Sequence, residues 1–313
     1  MSSLKAFLRD YPQYDYSILE IEQHYTDWVS DVRYMILSKW NDWKMKNEVF
    51  AVKCAKRGND VYRFRVNRRF KDLCAMVDDL YFFNSKERGI KKTRALWATL
   101  TYDSKRCSYE QAWRNIGIEF NRFMSFIRKK FGKVSCCRVF ESFENGYPHI
   151  HCILLFEKTW FKVFRDQKNQ FRIQDKGDFE GGWHSNIDVK AMSSLASGFS
   201  YLKKYLLKGI DYEKADSKAK KTLSLTWAFQ KRAFSVSGRF RKLLIDLINK
   251  LKNLKQKRCQ VTLLGEKVPE QKYYVLGFVS AEVLAFKRDM WFSQLDSERI
   301  ALIQPFLDDQ RFH

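Results

Sequence analysis

The stretch that most limits what this chain can fold into is a pair of apolar runs, Val134 to Phe143 and Pro148 to Phe156, split by Glu144-Asn145-Gly146-Tyr147. Runs of this kind around a Gly-containing turn read as two antiparallel strands of one hairpin. Side chains alternate along a strand, so His149 and His151 leave the same face, about 7 Å apart. A hairpin centred on Asn145 sets Glu141 opposite His149 and Val139 opposite His151. Two imidazoles and one carboxylate then share a face with Phe143, while Cys152 points the other way. Such a set suits Mg²⁺ or Mn²⁺ acting as a Lewis acid on a phosphate oxygen. A structural zinc site would want four closed ligands, preferably with thiolate.

A second constellation lies in Phe199-Ser200-Tyr201-Leu202-Lys203-Lys204-Tyr205-Leu206-Leu207-Lys208. At roughly 100° per residue, Leu195, Phe199, Leu202 and Leu206 form one apolar stripe that packs on a sheet. Tyr201 and Tyr205 fall on one flank, about a turn apart, and each is followed three residues later by a lysine, Lys204 and Lys208. A free phenol has a pKa near 10. Nucleophilic attack at neutral pH therefore needs a cation beside the phenolate and a metal on the phosphate. A tyrosine ester exchanged for a phosphodiester needs no ATP, in keeping with the missing Walker phosphate loop.

Around these motifs the chain reads as antiparallel α+β, since strands pair through hairpins and helices do not alternate regularly with them. The first forty-odd residues have helical spacing (Ile18, Ile21, Tyr25, Trp28, Val29, Val32). Residues 49–55 and 61–66 read as a hairpin around Arg57-Gly58-Asn59-Asp60, followed by a helix from about Phe70 to Phe83. Arg63, Arg65, Arg68 and Arg69 are either phosphate contacts or a solvated strand face. A strand spans about Ala95 to Tyr102, and an amphipathic helix runs from the capping box at Ser108 to a stop at Gly132. Further on come a strand near Asn186 to Lys190, the tyrosine helix over about Ser194 to Lys208, a basic and mostly helical stretch over 213–257, a hairpin over 259–277 and a last helix from Ala281.

Charge sets the class of partner. The 313 residues carry 58 Lys+Arg against 36 Asp+Glu, a formal +22, which fits a polyanion such as nucleic acid. Lys5 and Arg9 interrupt the stretch that a signal peptide keeps apolar, and no run approaches the roughly 18 apolar residues of a membrane span. Seven cysteines without a C-x-x-C pair read as reduced thiols, which makes the expected location cytoplasmic.

The strand Trp97-Ala98-Thr99-Leu100-Thr101-Tyr102, the unit from Glu141 to His149-Ile150-His151 and the run Tyr201-x-x-Lys204-Tyr205-x-x-Lys208 stand in the order of the three motifs of HUH endonucleases. The sequence resembles the two-tyrosine rolling-circle replication initiators of plasmids and small DNA viruses. That resemblance implies a five-stranded antiparallel sheet flanked by helices, with the tyrosine helix alongside and mostly helical additions at both ends. It implies His149, His151 and Glu141 as metal ligands, Tyr201 and Tyr205 as nucleophiles, and Lys204 and Lys208 as electrostatic helpers. Arg63, Arg65, Arg68, Arg69 and Arg232 are candidate DNA contacts, and His184 is an outside candidate whose simpler role is structural.

The implied reaction nicks one strand of single-stranded DNA at a replication origin, leaving a 5′-phosphotyrosine and a free 3′-hydroxyl, and a second transesterification rejoins ends. A host helicase and polymerase would be partners. The expected organisation is an N-terminal region over 1–92, a candidate for DNA binding, an endonuclease domain over 93–239 and a basic C-terminal region over 240–313. The rivals are a transposase or relaxase of the same superfamily and a non-catalytic basic DNA-binding protein.

Overall fold

A computed structural model of the chain describes residues 16–41, 43–74, 83–84, 91–208, 212, 215–232, 234–242 and 273–285. They form two compact units, one over Ser3–Tyr25 and Arg57–Ile248, the other over Thr26–Lys56 and Asn249–His313. The helices are α1 (Ile18–Ser30), α2 (Asp60–Cys74), α3 (Tyr109–Phe131), α4 (Gly177–Glu180), α5 (Leu195–Lys208) and α6 (Ser217–Ala228). The strands are β1 (Arg33–Asn41), β2 (Lys46–Lys53), β3 (Phe83–Asn84), β4 (Lys91–Thr93), β5 (Ala95–Thr101), β6 (Val134–Ser142), β7 (Pro148–Phe156), β8 (Phe161–Arg165), β9 (Phe171–Ile173), β10 (Ile187–Ala191), β11 (Phe234–Val236) and β12 (Tyr273–Ser280). Among the described residues no helix is long and apolar enough to cross a membrane.

The first unit is built on a five-stranded antiparallel sheet in the order β10-β5-β7-β6-β11, flanked by helices. Strand β7 lies at its centre, and all nine of its residues are buried. The hairpin expected from the sequence holds to the residue, with Glu141 opposite His149 and Val139 opposite His151. Its turn is closed by the Gly146 N–H on Phe143 O (3.0 Å) and the Phe143 N–H on Tyr147 O (2.9 Å). Gly146 adopts φ +86°, a left-handed conformation that glycine tolerates at little cost, and a Cβ there would fall 2.5 Å from Ile18 Cδ1.

Helix α3 covers the face away from the histidines through Trp113, Ile116, Phe120 and Phe123, with Trp113 against Phe140. Ser108 caps it by accepting from the Gln111 N–H (3.3 Å), and Gly132 ends it by donating to Arg128 O. The opposite face carries Trp97, Val139 and Ile153. It packs on Leu195, Phe199, Leu202 and Leu206 of α5 and on Val66 and Leu73 of α2. A smaller sheet in the same unit has the order β3-β4-β8-β9.

The N-terminal reading needs correction. Residues 61–66 are not the second arm of a hairpin: they lie inside α2, and β2 pairs instead with β1, which begins only three residues after α1. Six residues alternating Val-Tyr-Arg-Phe-Arg-Val fit either period. Asn59 decides between them locally, because its Oδ1 accepts from the Tyr62 N–H (3.0 Å) and its carbonyl from the Arg63 N–H, which starts a helix. Arg63, Arg65, Arg68 and Arg69 are therefore helical, and the side chains of the first three are exposed. The expected helix over 70–83 belongs to α2 as far as Cys74, and residues 75–82 lie outside the described ones.

In the second unit, β12-β1-β2 form a three-stranded sheet around Ile36, Val49 and Val279. The tail of the hairpin expected over 259–277 is thus the start of β12, while 259–272 lie outside the described residues. Within 213–257, α6 is helical as expected but 234–236 are a strand.

Lys231, just after α6, is a buried cation of the first unit. Burial, then Arg138 and Arg114, lower its pKa to about 8, and its Nζ donates to Arg114 O at 3.2 Å. The unfolded chain holds this proton up to the ordinary lysine value of 10.5. The penalty is therefore full below pH 8 and is relieved as pH rises from about 8 to 10.5. Lys231→Met is expected to gain about 1–2 kcal/mol at neutral pH, after discounting for solvent screening, and to show a flatter rise over that window. Urea unfolding of both proteins at about pH 7 and about pH 9.5 checks this. An unchanged pH difference between them would contradict it.

Candidate active site

The hairpin register delivers three donors to one point on the sheet. Glu141 Oε2 lies 2.7 Å from His149 Nε2 and 2.9 Å from His151 Nε2. Ligand atoms of the three residues all fall within 4.8 Å of one another. Both imidazoles are buried, at 3% and 6% exposure, so their orientation is fixed by packing rather than by water. Phe143 stacks on the His149 ring at 4.1 Å, and the Thr99 hydroxyl meets His151 Nδ1 at 3.1 Å. A hydroxyl can donate or accept there, so Thr99 serves either tautomer of His151.

Electrostatics prepares the set for a cation. Burial raises the Glu141 carboxyl, but hydrogen bonds from His149 and His151 outweigh it, and the group stays ionised far below the usual carboxylate range. Burial lowers His149 against the opposing pull of Glu141, which favours the neutral, ligating form at neutral pH. Two neutral imidazoles and an ionised carboxylate converging on one point fit a divalent ion with positions left open for substrate. The His149 Nδ1 atom is buried with no hydrogen-bond partner among the described residues, so the ring's polar anchoring comes from the Nε2 side alone.

Helix α5 brings the tyrosines to the same place. Its apolar stripe, Leu195, Phe199, Leu202 and Leu206, is buried on the sheet and turns the other flank to the histidines. The Tyr201 and Tyr205 hydroxyls are hydrogen-bonded at 2.8 Å. The Tyr205 ring lies 4.3 Å from the His151 ring, while Tyr201 is the more exposed, at 48%. Burial, then the bond to Tyr201, raises the Tyr205 phenol, so it is held protonated at neutral pH. Trp97 joins the group: its ring is 5.0 Å from Tyr201 and 5.6 Å from His151, and its Nε1 donates to Thr99 Oγ1 at 3.2 Å.

The cation beside the triad is one that the sequence did not single out. Lys218 Nζ lies 3.0 Å from Glu141 Oε1, on the carboxylate oxygen not shared with the histidines. Asp216 caps α6, and the Ser142 N–H donates to Thr222 Oγ1 (2.9 Å), which pins the first turns of α6 to the end of β6. In the sequence Lys218 is one of several lysines in a basic helix, with nothing to mark it. Lys204 is exposed and forms no ion pair with the triad, and the Lys208 side chain lies outside the described residues.

His184 sits elsewhere, paired with Glu119 of α3 at 3.3 Å and stacked near Tyr102 and Trp183. Arg232 is exposed and lies near Arg138. An ammonium beside Glu141 repels an incoming divalent ion. Lys218→Met is therefore expected to tighten Mn²⁺ binding severalfold, about 1 kcal/mol, in a calorimetric titration. Weaker binding would mean that its hold on the carboxylate outweighs its charge.

Residues 95–210 match a family model described as a replication-associated protein of the ORF2 kind. The matched stretch runs from the start of β5 to just past α5. It holds Thr99, Glu141, both histidines and both tyrosines, and Lys218 falls outside it. No curated protein and no solved structure matches the chain. The family match supports a replication initiator.

Proposed function

We propose that the protein is a rolling-circle replication initiator of the two-tyrosine HUH type, which nicks one DNA strand at an origin by tyrosine transesterification and later rejoins ends. The observation that carries this reading is the seat of the hydrogen-bonded Tyr201–Tyr205 pair against His151 of a Glu-His-His triad. A divalent ion, Mg²⁺ or Mn²⁺, held by His149, His151 and Glu141 would polarise the scissile phosphate as a Lewis acid.

The chain's own groups then do the rest. A phenolic oxygen bonds to phosphorus as the bond from phosphorus to the 3′-oxygen breaks; the phenol gives its proton to water and the 3′-oxygen gains one. The product is a 5′-phosphotyrosine and a 3′-hydroxyl able to prime synthesis, an ester exchanged for an ester. Trp97 and Thr99 position His151, and the second tyrosine remains for the rejoining attack. Single-stranded origin DNA is the substrate, a host helicase and polymerase are the partners, and residues 93–239 are the endonuclease domain.

The test is a covalent adduct. The protein is incubated with Mg²⁺ or Mn²⁺ and a pool of random-sequence single-stranded oligonucleotides labelled at the 3′ end, then digested with trypsin. Cleavage after lysines puts Tyr201 and Tyr205 on different peptides, ending at Lys203 and Lys208. The label is expected on one or both. A label on any other peptide, or no metal-dependent adduct, refutes the reading.

A further inference from the structure

On the sheet face turned away from the histidines, α3 and the β6–β11 edge enclose a cavity of about 200 Å³. Phe120, Arg128, Cys136, Arg138, Ser235 and Ser237 line it, and no carboxylate does. Arg138 stands opposite Cys152 on one side and Ser235 on the other, which fixes its side chain to this face. Phe120 and Phe140 lie against its guanidinium at 4.3 and 5.1 Å. Its Nε donates to Ser235 Oγ at 2.9 Å, while Nη1 is buried without a hydrogen-bond partner.

A guanidinium stays charged at any working pH and carries five donors in a planar fork. Buried without an anion, it is costly, because its lost hydration is not replaced. Among the described residues no carboxylate pairs with Arg138. Its surroundings add positive charge instead: Arg128 lines the same cavity, and Arg232 and the half-buried Lys231 lie close enough to interact. Two guanidinium forks and two serine hydroxyls around an enclosed volume match the several acceptor oxygens of one tetrahedral oxyanion. Ser235 Oγ accepts from Arg138, which leaves its own hydrogen for such a ligand.

We propose that this cavity is a phosphate-binding site, separate from the histidine and tyrosine centre. Its ligand is a phosphodiester of DNA or the phosphate of a free nucleotide.

Full-length protein is titrated calorimetrically with inorganic phosphate at constant ionic strength. Saturable binding at one site is expected. Arg138→Met should weaken it at least about tenfold, the worth of one charge-assisted hydrogen bond, and Ser235→Ala should weaken it less. Exchanging an unpaired buried charge for an apolar side chain of similar length should leave the fold at least as stable. If Arg138→Met fails to fold, Ser235→Ala carries the same test. Absence of saturable phosphate binding, or equal affinity in wild type and variants, overturns the proposal.

Two further arms separate the sources. If the ligand is DNA, Arg138→Met lowers affinity for a duplex oligonucleotide and reduces its salt slope by about one. If it is a nucleotide, duplex affinity is unchanged and binding of a deoxynucleoside monophosphate falls with that of phosphate. Phosphate binding is read directly, so the result stands whether or not the nicking reaction does.

Discussion

Replacing His149 and His151 together with alanine is expected to remove divalent-metal binding and to lower single-strand cleavage by at least ~10³. DNA affinity should change little, because the imidazoles are buried and the charge of +22 is spread over the rest of the chain. Calorimetry with Mn²⁺, a cleavage assay and a binding assay on one oligonucleotide read the three quantities separately. The double variant also strips Glu141 of two hydrogen bonds and leaves its partly buried carboxylate with Lys218 alone. A loss of stability is therefore expected too, of about 1–3 kcal/mol. His149→Gln with His151→Gln, which keeps a polar group near Glu141, separates folding from catalysis. Cleavage that persists unaltered in chelator would end the metal role.

Converting both tyrosines to phenylalanine is the second large effect. Tyr201→Phe with Tyr205→Phe should abolish the covalent adduct while leaving metal binding and fold intact, since each change removes one hydroxyl and keeps the ring. The single variants should differ. Tyr205 lies against His151, so its loss should impair cutting more, by about 10² or greater. Tyr201→Phe removes the hydroxyl that helps to hold the Tyr205 phenol protonated, so Tyr205 should ionise more readily in that variant. Its larger deficit is expected in rejoining, measured as closed product per nick. An adduct formed by the double variant would place the nucleophile elsewhere.

Both effects rest on a geometry legible from the chain because it is local. The turn Glu144 to Tyr147 sets the register, a period of two assigns the faces, and the Glu141–His149 pairing follows. The helix stripe of Leu195, Phe199, Leu202 and Leu206 likewise fixes the flank that Tyr201 and Tyr205 occupy, since burying the leucines leaves the tyrosines one direction to point. The five-stranded antiparallel sheet with flanking helices agrees with the resemblance to HUH endonucleases.

Short alternations and long separations mark where the sequence stopped. Residues 61–66 satisfy both a strand and a helix, and what buries Val66 is α5, far along the chain. Lys218 reaches Glu141 only because Thr222 anchors α6 to Ser142, a contact no spacing rule announces. Trp97 and Thr99 stood in the sequence as parts of a degenerate motif, and only the pairing of β5 with β7 sets them around His151. The chain by itself determined which groups share a face, because strand and helix periods act over a few residues. The fold alone decided which cation completes the triad and which guanidinium, among the described residues, lies buried without an anion, because those depend on segments that meet only when the core closes.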